Sequence, residues 1–142
     1  MLVTGGAGYI GSHAAKALRR AGYHVVIYDN LSAGHRDAAL GSPLIEGDVR
    51  DVDAVRGALR DSGASAVMHF AAWLVVSDSV RDPIGYYRNN VAGALATLEA
   101  MRRSSAADSS FHRRARCMAR PSSHLFANLM RPRRSTPTAR RN

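Results

Sequence analysis

The stretch VTGGAGYIGSH, residues 3–13, constrains this chain more than any other. Gly5, Gly8 and Gly11 fall in a GxxGxxG spacing between a short apolar run, MLVT, and a helical pattern, YIGSHAAKALRRAG. Each glycine has a physical task. Gly5 permits a tight turn out of a strand, Gly8 lets the backbone approach a pyrophosphate, and Gly11 lets the helix lie close to the sheet. The helix N-terminus then offers unpaired amides and the positive end of a dipole to an anion. Glycine spacing alone is weak; the context strengthens it. HVVIYD reads as a second strand ending at Asp29, 18 residues past Gly11. A carboxylate there accepts hydrogen bonds from a ribose 2′-OH and repels a 2′-phosphate, which favours NAD over NADP. The plainer alternative is a tight turn beside a surface carboxylate.

Strand and helix alternate from there on. NLSAGHRDAAL reads as a loop with a helical turn, PLIEGD as a third short strand, and VDAVRGALRDSG as an amphipathic helix with Val52, Val55 and Leu59 on one face. Gly22 and Gly63 follow the first two helices as stops. SAVMHFAA is a fourth strand, and VVSDSVRDPIGYYRNNVAGALATLEAMRR is mainly helical with Pro83 near a helix start. In the first helix the period groups Ile10, Ala14, Ala17, Leu18 and Ala21. The alternation predicts α/β architecture: a truncated Rossmann-like, doubly wound parallel sheet over residues 1–103, with helices on both faces. In strand order 3-2-1-4 the fourth strand lies at an open edge, an aggregation hazard. Weak stability and poor solubility without nucleotide are expected.

Residues 104–142 break the pattern. They hold 9 arginines against one acid, Asp108, whereas residues 1–103 balance 11 basic against 10 acidic groups. Nearly all of the net charge of +9 therefore sits in the tail, together with Pro121, Pro132 and Pro137. Such a stretch cannot bury enough apolar surface to offset its ordering entropy, so a disordered, basic, Arg-rich tail is expected. A basic tail can bind nucleic acid, but solvated charge is the simpler reading. The single cysteine, Cys117, excludes a disulfide framework and a cysteine-based zinc site. His35, His112 and His124 lack acidic or cysteine partners at ligand spacing, His13 reads as a packed or capping residue and His69 as core, so no metal site is expected. No apolar run approaches the ~18–20 residues of a membrane span. No signal peptide is visible, and a cytoplasmic location is the expectation.

TGGAGYIGSH, YDNLSAGHR, EGDVRD, VMHFAA and YYRNNVAG follow one another in an order that resembles the UDP-glucose 4-epimerases, extended short-chain dehydrogenases of the NAD-dependent epimerase/dehydratase family. The resemblance covers residues 1 to about 103. It implies that Gly5, Gly8, Tyr9, Ile10 and Gly11 line the NAD pyrophosphate, that Asp29 and Asn30 hold the adenosine ribose with Ser32 nearby, and that Asp48 and Val49 flank the adenine. It places Phe70, Ala71 and Ala72 along the cofactor and Asn89 towards the nicotinamide. Such enzymes act on UDP-sugars: the C4 hydroxyl is oxidised to a ketone, the sugar rotates, and hydride returns to the other face. They are often homodimers; a homodimer is not expected of this fragment. A related NAD-dependent sugar-nucleotide dehydratase or decarboxylase stays open, as does a non-catalytic fragment binding NAD or nucleic acid.

The sequence departs from that pattern in two ways. Leu74 stands where such enzymes often carry a lysine. More seriously, their chemistry needs a Ser/Thr on the fifth strand and a Tyr-x-x-x-Lys helix, with the tyrosine as general base and the lysine lowering its pKa. No tyrosine follows Tyr87, and the single lysine is Lys16 in the first helix. No catalytic residue is assigned and turnover is not expected. The genetic code suggests where the motifs went. Take the last base of each codon with the first two of the next. Met118 followed by Ala119 then must spell Gly, and Cys117 followed by Met118 only Tyr or His. Across residues 108–120 the shifted frame admits F-V-F-S-S-T-C-A-V-Y-G-E, and across 133–142 it admits P-V-N-P-Y-G-A-S-K, at a separation close to that of the resembled enzymes. The expectation is a slip of the coding frame near Arg103–Ser104.

Overall fold

The computed structural model describes residues 1–104, 110–113 and 116–117. Its elements run β1 (Leu2–Thr4), α1 (Tyr9–Arg20), β2 (Val26–Asp29), β3 (Leu44–Glu46), α2 (Val52–Ser62), β4 (Ala66–His69), α3 (Val76–Arg81), α4 (Pro83–Tyr87), α5 (Gly93–Arg103), β5 (Ser110–Arg113) and β6 (Arg116–Cys117). A 3-10 turn at Arg36–Ala39 precedes β3, and a π-helical turn at Arg88–Ala92 links α4 to α5. The strands form one sheet in the order β3-β2-β1-β4-β5-β6. Every ladder is parallel except the last, β5 with β6.

The side-chain alternation of a strand explains why both faces are covered. Leu2, Tyr28 and Val67 point to one side, where they pack with Val55 and Leu59 of α2 and Ala100 and Met101 of α5. Val3 and Ile27 point to the other, against Ala15 of α1. The doubly wound parallel sheet expected from the alternating elements is therefore the observed fold. Local signals end the helices as their chemistry dictates. Asp51 caps α2 by accepting from the amides of Asp53 and Ala54, and Gly63 closes it in the left-handed region at φ 59°. Pro83 opens α4 behind Asp82, whose carboxylate accepts from the Gly85 amide.

Two expectations are corrected. The fourth strand is not an edge: β5 pairs with it in parallel, Ala66 opposite Ser110 through His69 opposite Arg113. A short polar run takes that place because the pairing uses backbone groups, which any sequence supplies. The rest of the tail, and with it the expected disorder, lies outside the described residues. The inward face of α1 also differs from its apolar period. Gly11, Ser12 and Ala15 are buried, whereas Ile10, Ala17 and Ala21 are exposed. The helix starts so close to the glycine turn that only small side chains fit beneath it.

Candidate functional site

β1 delivers the chain to the edge of a cleft, and Gly5 turns it. Its φ is +70°, and a Cβ there would lie 2.5 Å from the Ala71 amide nitrogen, so a side chain is barred both by conformation and by the loop after β4. A Cβ on Gly11 would fall 2.1 Å from the Gly5 carbonyl oxygen and 2.8 Å from the Gly6 Cα. Gly11 thus packs the helix against the turn itself, not against the sheet as the spacing alone suggested. Gly8 differs. A Cβ there meets only the Gly5 carbonyl oxygen, at 3.4 Å, so what its absence keeps open is the cleft. Gly8 is also the N-cap of α1 and offers no side-chain cap. The first amides of the helix, from Tyr9 onward, have no acceptor within it and are available to an anion.

Asp29, at the end of β2, is 7% exposed. Its carboxylate accepts from the Ala7 amide at 2.9 Å and the Leu31 amide at 2.8 Å, tying the glycine turn to the loop that follows β2. Two of its roughly four acceptor positions remain for a ligand. That loop closes over the turn: the His35 amide donates to the Ala7 carbonyl, and a Cβ on Gly34 would sit 2.8 Å from the Ala7 backbone. Gly34 was not singled out in the sequence, where SAGH reads as ordinary loop; its signal is one more glycine just past the acidic strand end.

One cavity gathers Gly5, Gly8, Asp29, Asn30, Ser32, Val49, Phe70, Ala71, Ala72 and Asn89, ten of the residues expected at the cofactor. Tyr9, Ile10 and Gly11 line the adjoining cavity, which shares Gly5, Gly8, Phe70, Ala72 and Trp73 with the first. Asp48 lines neither. Its carboxylate is engaged by the Arg50 side chain, which holds it below the usual carboxylate range. Its backbone carbonyl accepts from the Tyr28 hydroxyl at 3.1 Å. Burial, and then the negative charges of Asp51 and Asp48, push that phenol up to about 12.

The far wall is the segment after β4. Asn90, in the π-helical turn, donates to the Trp73 carbonyl at 3.0 Å and accepts from the Trp73 amide at 2.8 Å. Its neighbour Asn89 is buried and donates to the Asn90 side-chain oxygen at 2.9 Å. Tyr86 adds a hydroxyl bond to the Val75 carbonyl and an edge contact to the Trp73 ring at 5.3 Å. Asn90 and Tyr86 escaped the sequence reading, although a doubled asparagine before Val-Ala-Gly marks the place. His69, 2% exposed, bonds Thr4 across β1 and β4 as a core residue would. His13 is exposed instead of packed; its ring donates to the Tyr9 carbonyl. Among the described residues no group of three or more metal-ligating side chains assembles, and no helix is long and apolar enough to cross a membrane.

Known proteins are similar to this chain in sequence and fold. The UDP-glucose 4-epimerase of Azospirillum brasilense is 50% identical over 101 residues, 70% of this chain and 29% of that protein. That of Rhizobium leguminosarum bv. trifolii is 46% identical over 100 residues, 70% of this chain and 31% of the relative. Among solved structures, UDP-glucose 4-epimerase from Brucella ovis in complex with NAD superposes with a TM-score of 0.73 at 45% identity, covering 78% of this chain and 34% of that one. The Thermus thermophilus enzyme in complex with NAD gives 0.68 at 42% identity, covering 71% and 33%. The chain thus spans about a third of the length of the relatives it matches. The model of the NAD dependent epimerase/dehydratase family matches residues 1–134, and the chain belongs to that family.

Proposed function

We propose that this chain binds NAD through its adenosine and pyrophosphate half, and that it represents the cofactor-binding part of a UDP-glucose 4-epimerase. One observation carries the reading: the uncapped start of α1, the side-chain-free Gly8 and the Asp29 carboxylate meet at one cavity. Gly5, Gly8, Tyr9, Ile10 and Gly11 would face the pyrophosphate, Asp29, Asn30 and Ser32 the adenosine ribose, and Val49 the adenine. Phe70, Ala71, Ala72 and Asn89 would follow the cofactor towards its nicotinamide. Asp48 contributes to this site at most through its backbone, because Arg50 engages its carboxylate. When bound, NAD supplies a reversible hydride acceptor. The residues described position it and exclude a 2′-phosphate, since Asp29 would repel one.

The substrate class, a UDP-sugar, and a cytoplasmic location belong to the same proposal. The general base is missing from the sequence as read, so the purified chain is expected to turn nothing over. We attribute this to a slipped coding frame near Arg103–Ser104. The shifted frame admits an epimerase fifth strand over residues 108–120, a stretch that includes β5, and the relatives align over 100 to 110 residues, about the length that precedes the slip. Binding of NAD and of ADP by calorimetry tests the first reading, with NADP as the disfavoured comparison. Conversion of UDP-galactose to UDP-glucose by this chain would overturn the second.

A further inference from the structure

We infer that Asn90 is a positioning residue for the nicotinamide-side wall of the cavity, acting through Trp73 and Asn89; the inference rests on the NAD reading above. A single amide side chain organises three groups. It accepts from the Trp73 amide, donates to the Trp73 carbonyl, and accepts from the Asn89 side-chain nitrogen. The pair of bonds to Trp73 fixes the main chain at the point where the loop after β4 separates the two cavities. The bond from Asn89 fixes the orientation of a buried amide. With one of its N–H groups committed to Asn90, Asn89 keeps its carbonyl oxygen as an acceptor at the cavity it lines. A ligand group that meets that oxygen would be a hydrogen-bond donor, a carboxamide N–H or a sugar hydroxyl. The setting suits such a role, because a π-helical turn bulges the helix and redirects side chains that a regular helix would point elsewhere.

Asn90 lines the adjoining cavity and Asp29 the first, so removal of Asn90 should be felt by one half of the ligand only. ADP reports the adenosine and pyrophosphate end, and NAD reports both. In the full chain, Asn90→Ala is expected to bind ADP within about twofold of the parent while NAD weakens about tenfold or more, as one or two net hydrogen bonds would predict. Asn90→Asp keeps both acceptor contacts but sets a carboxylate oxygen against the Trp73 carbonyl, so its NAD binding should weaken as well, with ADP binding again unchanged. Equal weakening of ADP and NAD in both variants would make Asn90 a purely structural residue and overturn the inference. Unchanged NAD binding in Asn90→Ala would overturn it too. Failure of the parent chain to bind ADP would sink the cofactor reading itself, a result distinguishable from either.

Discussion

The Asp29 carboxylate accepts a hydrogen bond from the Ala7 amide at 2.9 Å, joining the end of β2 to the middle of the glycine turn. The residue proposed to meet the ribose thus also shapes the glycine turn. In Asp29→Asn one of the two backbone amides would face an NH2 group. A buried donor left without an acceptor costs about 1–3 kcal/mol. Thermal unfolding of Asp29→Asn should therefore show a loss of about that size even without ligand. An unchanged melting temperature would confine Asp29 to ligand contact.

The three turn glycines should separate by phenotype. Gly11→Ala places a methyl 2.1 Å from a backbone oxygen that cannot give way, and overpacking of this kind costs about 1–3 kcal/mol or more. Gly8→Ala meets only ordinary contact at 3.4 Å, so it should keep the parent's melting temperature and lose NAD affinity. Measuring both properties on both variants checks the assignment; an NAD affinity for Gly8→Ala equal to the parent's would contradict it.

Tyr28 gives the fold an alkaline limit. Its phenol is raised from 10 to about 12, by burial first and then by Asp51 and Asp48. Between those values the unfolded chain releases the proton and the folded chain keeps it, so unfolding is favoured as pH rises. The stabilisation is complete below pH 10 and is lost as pH climbs through about 12. Tyr28→Phe removes the bond to Asp48, at about 0.5–1.5 kcal/mol, but should flatten stability across that window. Denaturant melts at stepped pH would show it; the same slope in parent and variant would rule Tyr28 out as the source.

Strand and helix positions followed from the sequence, because period, glycine stops and an acid at a strand end are local signals, whereas most cavity residues came from the family resemblance. Gly5 and Asp29 are examples: the turn after β1 and the end of β2 stand where the sequence puts them. What escaped depended on tertiary contact. The buried face of α1 is one case: it is Gly11, Ser12 and Ala15, not the apolar period, and Ile10 lines the cavity, where the resemblance alone had put it. Asn90 looked like the plain neighbour of Asn89 until the fold brought Trp73 to it from 17 residues away. The pairing of β5 with β4 could not be foreseen from side chains, since the ladder is made by the backbone.

The expected solubility problem now has a different origin. β4 is paired, but Leu95 and Leu98 of α5, with Val91, remain exposed at 61, 42 and 43% and share a cavity wall with Leu74 and Val75. Contiguous apolar surface of this kind favours association. Leu95→Glu and Leu98→Glu together should raise the soluble fraction while ADP binding at the other cavity persists. A double variant as insoluble as the parent would point to another cause.

The frame slip is checked in the gene. Codons 100–142 should place the fifth-strand and Tyr-x-x-x-Lys motifs together in one alternative frame. Codons that cannot spell F-V-F-S-S-T across 108–114 would remove the idea.

The most direct measurement is a calorimetric titration of the folded, purified chain with NAD, alongside the Asp29→Asn variant. One NAD should bind per chain, with affinity at least tenfold weaker in the variant and little response to NADP. A chain that melts cooperatively yet gives no binding at millimolar NAD would contradict the assignment of this cavity as a cofactor site.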